Sequence, residues 1–419
     1  MAETIIILVM AEEKWHEADF LRKEIEARGD KAVILDMGLT GQPQGVCDIT
    51  REEVISISGY DPQEAALVTD RGKRMPIMVA GSKEKVNRLF SEGSIAGIVN
   101  IGGTTGTQMG TAIMRSLPFG VPKLAVSSTA SLPGFASRAI GTSDIVLMPS
   151  VVEFTGLNDF VRNILSRAAG TICGMVEAST KTPILLKSKG TSNLIAMTHF
   201  GLCEELAVDI RNRLEQKGYQ VVGFSAAGVG DRAMEEIITN QDIFSAVIDP
   251  APGGVGEELF GFTRAAGPTR LEAAGKRGIP QIVALCGVNL GSPLKREYKP
   301  EYKKRKKYDY DAARTFIRLS EAEMIMVADA IAAKLNQALG PVKVLIPLGG
   351  WSSIDRKGTD FYDAGLDSSF VMELKKQLKP GIEVREVDAD LDTPEFADAV
   401  IIAFSEIMDN LTRFDINVP

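Results

Sequence analysis

The residues best placed to do chemistry lie in Ile98-Val-Asn-Ile-Gly-Gly-Thr-Thr-Gly-Thr107. An apolar run from Ile95 to Ile101 leads straight into Gly102, Gly103, Thr104, Thr105, Gly106 and Thr107. Met109, Ile113 and Leu117 then recur four apart. That pattern predicts a strand, a glycine-rich turn and the start of a helix. The first amides of a helix lack internal acceptors and sit at the positive end of its dipole, so the turn suits a phosphate or a carboxylate. The glycines let the backbone turn tightly and come close to a ligand, and the threonine hydroxyls add donors. The turn has neither the G-x-G-x-x-G spacing nor the Gly-Lys-Ser/Thr ending of a P-loop. Close packing of helix on strand is the competing explanation.

Other candidates follow strand-like runs. Ser127, Ser128 and Thr129 come directly after an apolar stretch, with Asp144 a little further on. Their hydroxyls suit phosphate or ribose, or simply cap a loop. Arg115 and Lys123 could neutralise phosphate, or be surface charges. Asp36 closes a second strand, where an acid can hold ribose hydroxyls or cap a turn. In the second half Asp249, with Glu257 or Glu258, could hold Mg²⁺ or do acid–base work. Carboxylates at a helix start are also favoured by its dipole, and this plainer reading carries more weight. His199, Cys203 and Cys286 stand just after strands and could act as base or nucleophile, or be buried structural residues. Lys295 to Lys307, "KREYKPEYKKRKK", is strongly basic with interleaved tyrosines. It could bind RNA or another polyanion, though the net acidity argues against a nucleic-acid protein; it reads rather as a solvated face, or as a flap over an anionic ligand.

Strand and helix signals alternate along the chain, which argues for an α/β fold with mostly parallel sheets. The plan occurs twice. In the first half Ile5–Met10 reads as a strand, Ala18–Ala27 as a helix stopped by Gly29, and Lys31–Asp36 as a strand. In the second half Leu194–His199, Glu204–Gln216 with Gly218, and Gln220–Ser225 repeat the order. "LRKEIEARG" matches "IRNRLEQKG", and "FGVPKLAVS" matches "RGIPQIVAL". These correspondences predict two similar domains, 1–185 and 186–419, arising by internal duplication and joined within the polar segment 178–193. The first half carries an additional stretch of mixed loop and helix at about 38–75. Ligands of open parallel sheets bind at the carboxyl ends of the strands, which is where the candidates above fall.

The 419 residues are 45% hydrophobic and 24% charged, ordinary for a globular protein. The net charge of −8 gives no general pull toward nucleic acid or an anionic membrane. No apolar run reaches the length of a membrane span, and the N-terminus lacks the basic region of a signal peptide. Four scattered cysteines without C-x-x-C spacing fit a reducing cytoplasm. Two histidines, His16 and His199, are too few for a His-rich metal site.

Six segments resemble the Tm-one-like ATP-binding family, named for a plant tobamovirus resistance protein. They are "DITREEV" (48–54), "DRGK" (70–73), "GGTTGTQMGTAIMRSLPFGVPKLAVSSTAS" (102–131), "IGTSDIVLMPSVVEFTGLN" (140–158), "AGPTRLEAAGKRGIPQIV" (266–283) and "GPVKVLIPLGGWSSIDRKGTDFYD" (340–363). The resemblance covers nearly the whole chain. It implies two Rossmann-like three-layer domains, a homodimer, and ATP in the N-terminal domain, with Mg²⁺ arriving on the nucleotide. Family members follow their first strand with Gly-Thr-x-Asp-Thr-Lys-Gly-x-Glu. This chain has Val9-Met-Ala-Glu-Glu-Lys-Trp-His-Glu17, so Lys14 and Glu17 match and Glu12 replaces the Asp. Lys14 could reach phosphate oxygens as a point charge. In the second half Pro250–Gly254 replaces a Thr-rich segment, and "KYDYD" (307–311) stands where a family histidine is expected.

The expected function is therefore nucleotide binding on Gly102–Thr107, assisted by Lys14, Glu17, Asp36, Ser127, Ser128, Thr129 and Asp144. Two alternatives stand beside it. One is an ATP-dependent enzyme acting on a small carboxylic or sugar acid between the domains. The other is a nucleotide-regulated dimer that binds a protein partner.

Overall fold

The computed structural model describes residues 2–68, 70–181, 193–311 and 314–416. The chain separates into two compact units, Met1–Leu185 and Leu186–Pro419. Most of the predicted junction, residues 182–192, lies outside the described residues.

The first unit runs β1 (Thr4–Val9), α1 (Ala11–Glu26), β2 (Lys31–Asp36), α2 (Arg51–Ile57), α3 (Pro62–Ala66), α4 (Arg71–Ser91), β3 (Gly97–Gly102), α5 (Thr104–Met114), β4 (Lys123–Ser127), α6 (Phe135–Ile140), β5 (Val146–Pro149) and α7 (Asp159–Lys181). Its five strands lie in the order β2-β1-β3-β4-β5, and every pairing is parallel. From Ile5 to Val9 strand β1 is apolar because both faces of the sheet are covered. On one face Ile5, Ile7 and Val9 pack with Leu21 and Ile25 of α1 and Leu165 and Ile172 of α7. On the other, Ile6 and Leu8 pack with Met78 of α4 and Met109 and Ile113 of α5.

The second unit continues with β6 (Leu194–His199), α8 (Glu204–Gln216), β7 (Gln220–Ser225), α9 (Val229–Asn240), β8 (Ala246–Asp249), α10 (Gly254–Phe260), α11 (Ala273–Lys276), β9 (Gln281–Val283), β10 (Leu290–Gly291), β11 (Lys307–Asp309) and β12 (Thr315–Arg318). It closes with α12 (Glu321–Leu335), β13 (Val342–Pro347), β14 (Gly350–Ser352), β15 (Asp355–Arg356), α13 (Ala364–Gln377), β16 (Glu383–Val387) and α14 (Pro394–Ile416). The main sheet has the order β16-β13-β9-β8-β6-β7 and is again parallel throughout. From β7 to β13 this repeats the first unit's order from β2 to β5. The recurring sequence plan therefore corresponds to a recurring topology. Two small antiparallel sheets, β10-β12-β11 and β14-β15, are added to the second unit.

Helix α1 starts seven residues before the expected Ala18. It begins at Ala11, directly after β1, with one non-helical residue at Lys14 (φ −138°, ψ 30°).

Candidate functional site

Strands β1 and β3 are neighbours, but their chains leave the sheet toward opposite faces, β1 into α1 and β3 into α5. A crevice opens at the carboxyl ends of such a strand pair, and ligands of this architecture bind there. The Gly102–Thr107 turn lies at the carboxyl end of β3, where it runs into α5.

The glycines of the turn are not all required for the same reason. None of Gly102, Gly103 and Gly106 adopts a positive φ, so a left-handed backbone is not what calls for them. A Cβ on Gly102 would stand 3.0 Å from the backbone of Gly106 and Thr107, which makes that glycine a packing residue. Gly110, one turn further on, packs so closely that a Cβ would stand 2.3 Å from Asn100 Cγ. Gly103 differs. At φ −84° it could be any residue, and the nearest atom to its would-be Cβ is Ser128 Oγ at 3.8 Å. Neither conformation nor packing demands a glycine there.

Within α5 the Thr107 amide donates to Gly103 O at 2.9 Å. The amides of Thr104, Thr105 and Gly106 precede that first internal bond and have no helical acceptor. Thr104 is exposed, Thr105 half-buried, and Ser128 and Thr129 half-buried. Among the described residues Ser128 Oγ has no hydrogen-bond partner. Thr107 and Ser127 are fully buried and act as a brace. The Thr107 hydroxyl donates to Ser127 Oγ at 2.8 Å, the Thr129 amide donates to the same oxygen at 3.2 Å, and the Ser128 amide donates to Gly102 O at 3.2 Å. These bonds hold the ends of β3 and β4 together beneath α5. Met10 and Met37 close the β1 side, Met10 Sδ lying 3.7 Å from the would-be Cβ of Gly106.

The remaining predicted residues are placed elsewhere or are already engaged. Asp36 is buried, with Oδ1 accepting from the Ala11 and Gly38 amides at 3.1 and 2.8 Å and Oδ2 paired with Arg51 Nε at 2.7 Å. Both oxygens are thus engaged within the protein rather than presented to a ribose. Arg51 also pairs with Glu12 at 3.1 Å, and Glu12 accepts from the Leu39 and Thr40 amides at 2.8 and 3.1 Å. Burial works against the Arg51 charge, but the hydrogen bond and charge of Asp36, with the charge of Glu12, outweigh it and raise its pKa. Glu17 is buried and accepts from the Gly156 amide at 2.9 Å, tying α1 to the loop before α7. Lys14 pairs with Glu13 at 3.3 Å, and Glu13 in turn with Arg71 at 3.2 Å.

Asp144 lies at the wrong end of the sheet. It accepts from the Gly120 amide at 2.7 Å and pairs with Lys123 at 2.6 Å, at the amino end of β4. The strand separates it from Ser127 by roughly 13 Å at about 3.3 Å per residue. Burial lowers the Lys123 pKa, and Asp144 only partly offsets it. Arg115 follows α5 at its carboxyl end and donates to Ala139 O at 2.6 Å.

In the second unit Asp249 and Glu257 are held by arginines. Asp249 pairs at 2.6 Å with the fully buried Arg270 and accepts from Thr198 Oγ1 at 2.7 Å. Arg270 also faces Asp231 and Glu235, whose pKa values burial raises. Glu257 pairs with Arg264 at 2.7 Å and accepts from Ser292 Oγ at 2.5 Å, while Glu258 accepts from the Gly267 amide at 2.9 Å. His199 Nε2 lies 2.5 Å from Glu204. Cys203 and Cys286 are fully buried, and burial pushes the Cys286 thiol well above its ordinary pKa, against a nucleophilic role. The basic stretch forms 3₁₀ turns at Lys295–Glu297 and Pro300–Lys304 that anchor on the buried Tyr302 and lead into β11. Sequence reasoning missed Arg51, Asn100 and Arg270, whose partners are distant in the chain. The "DITREEV" and "AGPTRLEAAGKRGIPQIV" segments contained Arg51 and Arg270 without showing what they pair with.

Comparison with known proteins agrees with this two-unit architecture. Residues 3–181 match the N-terminal domain, and residues 192–408 the C-terminal domain, of the Uncharacterised protein family (UPF0261). A UPF0261 protein of Clostridium tetani is 36% identical over 404 residues, covering 96% of this chain and 98% of its own. A UPF0261 protein of Rhizobium meliloti is 30% identical over 406 residues, with coverage of 96% and 98%. The ToMV resistance protein Tm-1(GCR237) of Solanum lycopersicum is 33% identical over 345 residues, 80% of this chain but 45% of the tomato protein. The resemblance read from the sequence thus rests on matches along nearly the whole chain, and the protein belongs to the Uncharacterised protein family (UPF0261).

Proposed function

We propose that the N-terminal unit binds a nucleotide, ATP, with its phosphates on the amides of Thr104, Thr105 and Gly106. The observation that carries this reading is the open space above Gly103, a glycine that neither its φ nor its packing requires. A side chain there would stand over the amino end of α5, where an anion must approach. Thr104, Thr105 and Ser128 are the hydroxyl donors within reach of that space. Lys14 acts at most as a longer-range charge. The donor set fits phosphate better than a protein-held metal. The nearby carboxylates Glu12 and Asp36 are committed to Arg51 and Glu17 to Gly156, so Mg²⁺ arrives coordinated by the nucleotide. Four free cysteines fit a cytoplasmic protein.

The second reading, nucleotide-controlled binding of a protein partner rather than turnover, is favoured over catalysis by the second unit. Its acids Asp249 and Glu257 are neutralised by buried arginines instead of facing a substrate.

Calorimetric titration with ATP, with and without Mg²⁺, tests the nucleotide site. The wild type is expected to saturate. Gly103→Val should weaken binding at least roughly tenfold, a loss of about 1.4 kcal/mol, at an unchanged melting temperature. Equal affinity in the folded variant overturns the assignment.

A further inference from the structure

We propose that a small cavity in the second unit, at the carboxyl end of β13, binds the ammonium group of a small organic cation on the side chain of Asp367. The cavity, of about 140 Å³, lies between the end of β13, the first turns of α13 and the end of β16. A cavity of about this size can take up benzene, so a short alkyl chain fits. Ile346, Trp351 and Val371 supply apolar wall, and Tyr362, Asp367 and Glu386 supply polar groups.

Asp367 is the group whose surroundings call for a cation. It is 7% exposed. Its Oδ1 accepts from Arg318 Nη2 of β12, and from Asn289 Nδ2 at 3.2 Å. Among the described residues its Oδ2 has no hydrogen-bond partner. Asp355 of β15, fully buried, shares the same two donors, Arg318 Nη1 at 2.7 Å and Asn289 Nδ2 at 2.5 Å. Two carboxylates thus answer one guanidinium, and Asn289 adds no charge. Fully ionised, the cluster carries one negative charge more than it balances, which is costly in a buried place. Burial accordingly pushes the Asp367 pKa up to about 7; Arg318 opposes the shift and Asp355 adds to it. An ammonium supplies the donor that Oδ2 lacks and the charge that the cluster lacks. The neighbouring cations are already engaged. Lys375 of α13 pairs with Glu386 of β16 at 2.6 Å, and Lys306 donates to Tyr362 O at 2.7 Å and lies 3.7 Å from Asp363. Asp363 accepts from the Leu366 amide at 3.3 Å and so answers the dipole at the amino end of α13. Burial and the charges of Asp367, Asp355 and Asp390 raise the Tyr362 pKa, which keeps its hydroxyl neutral. That hydroxyl can accept from an ammonium, and the rings of Tyr362 and Trp351 attract a cation. A metal ion fits less well, since among the described residues no group of three or more metal-ligating side chains is gathered.

The probe is n-butylammonium, with n-butanol as its uncharged control, and the readout is the indole N–H resonance of Trp351 in the isotopically labelled full chain. At pH 8 butylammonium should shift that resonance saturably, and butanol should bind at least roughly tenfold more weakly. Between pH 8 and pH 6 butylammonium binding should weaken roughly tenfold, because Asp367 takes up a proton and loses the charge that holds the ligand. Asp367→Asn keeps the shape and leaves Arg318 matched one to one with Asp355. It should fold with no loss of melting temperature, and lose both the preference for the cation and the pH dependence. Val371→Phe fills the cavity from its wall without touching Asp367, and should abolish binding. No saturable binding, equal binding of butanol, binding independent of pH, a folded Asp367→Asn variant with wild-type affinity, or a Val371→Phe variant that still binds would each overturn the proposal.

Discussion

At the scale of single residues, Arg51 organises the loop that follows β2. It holds Asp36 and Glu12, and through them the amides of Ala11, Gly38, Leu39 and Thr40. Replacing it by Met leaves two buried carboxylates without their counter-charge. Such a change costs about 3–5 kcal/mol, so chemical denaturation of Arg51→Met should show that loss in the N-terminal unit. An unchanged midpoint would mean that the loop is held by other contacts. This network also shows why the sequence left Asp36 open between a ribose contact and a turn cap, and its bonds to the Ala11 and Gly38 amides are those of a cap. An acid at a strand end looks available when its partners, 15 residues away at Arg51 and 25 at Ala11, are not visible. Glu12 looked like a departure from the family pattern, and the structure gives it a definite task in holding the loop.

At the scale of elements, period and punctuation were most informative where a helix or strand faces the core. Strands β2, β6 and β7 and helix α8 have the bounds their apolar spacing and closing glycines predict. The start of α1 was missed because Ala11 to His16 is mostly polar. Its apolar residues begin to repeat only at Ala18, Leu21 and Ile25, which do face the core. The short antiparallel strands of the second unit, some only two residues long, left no periodicity to read. The contact of α5 with β3 fixes the height of the amide cradle above the sheet, and Gly110 sets it. Gly110→Ala drives a Cβ to 2.3 Å from Asn100 Cγ. Overpacking of this kind costs about 1–3 kcal/mol, despite the better helix propensity of alanine. A lowered melting temperature is expected together with weaker ATP binding, because the helix must lift. A variant as stable as the wild type would show that the contact yields.

At the scale of the whole molecule, the chain carries one sheet order in two units and uses them differently. In the first, the carboxyl end of β3 leaves the amides of Thr104, Thr105 and Gly106 without helical acceptors and, among the described residues, Ser128 Oγ without a partner, around an open glycine. In the second, the end of the corresponding strand β8 carries Asp249, which is closed off by Arg270. The doubled architecture was legible in the sequence because it rests on repeated patterns of apolar residues, glycines and prolines. The distinction between an open turn and a closed one was not, since it depends on side chains brought together from distant segments. Nucleotide binding on this account belongs to the first unit. The most direct measurement follows the amide resonances of Thr104, Thr105 and Gly106 in isotopically labelled protein during titration with ATP and Mg²⁺. The account predicts saturable shifts at these three amides, larger with ATP than with adenosine. Saturable ATP binding that leaves them unmoved, or no saturable binding at all, would contradict it.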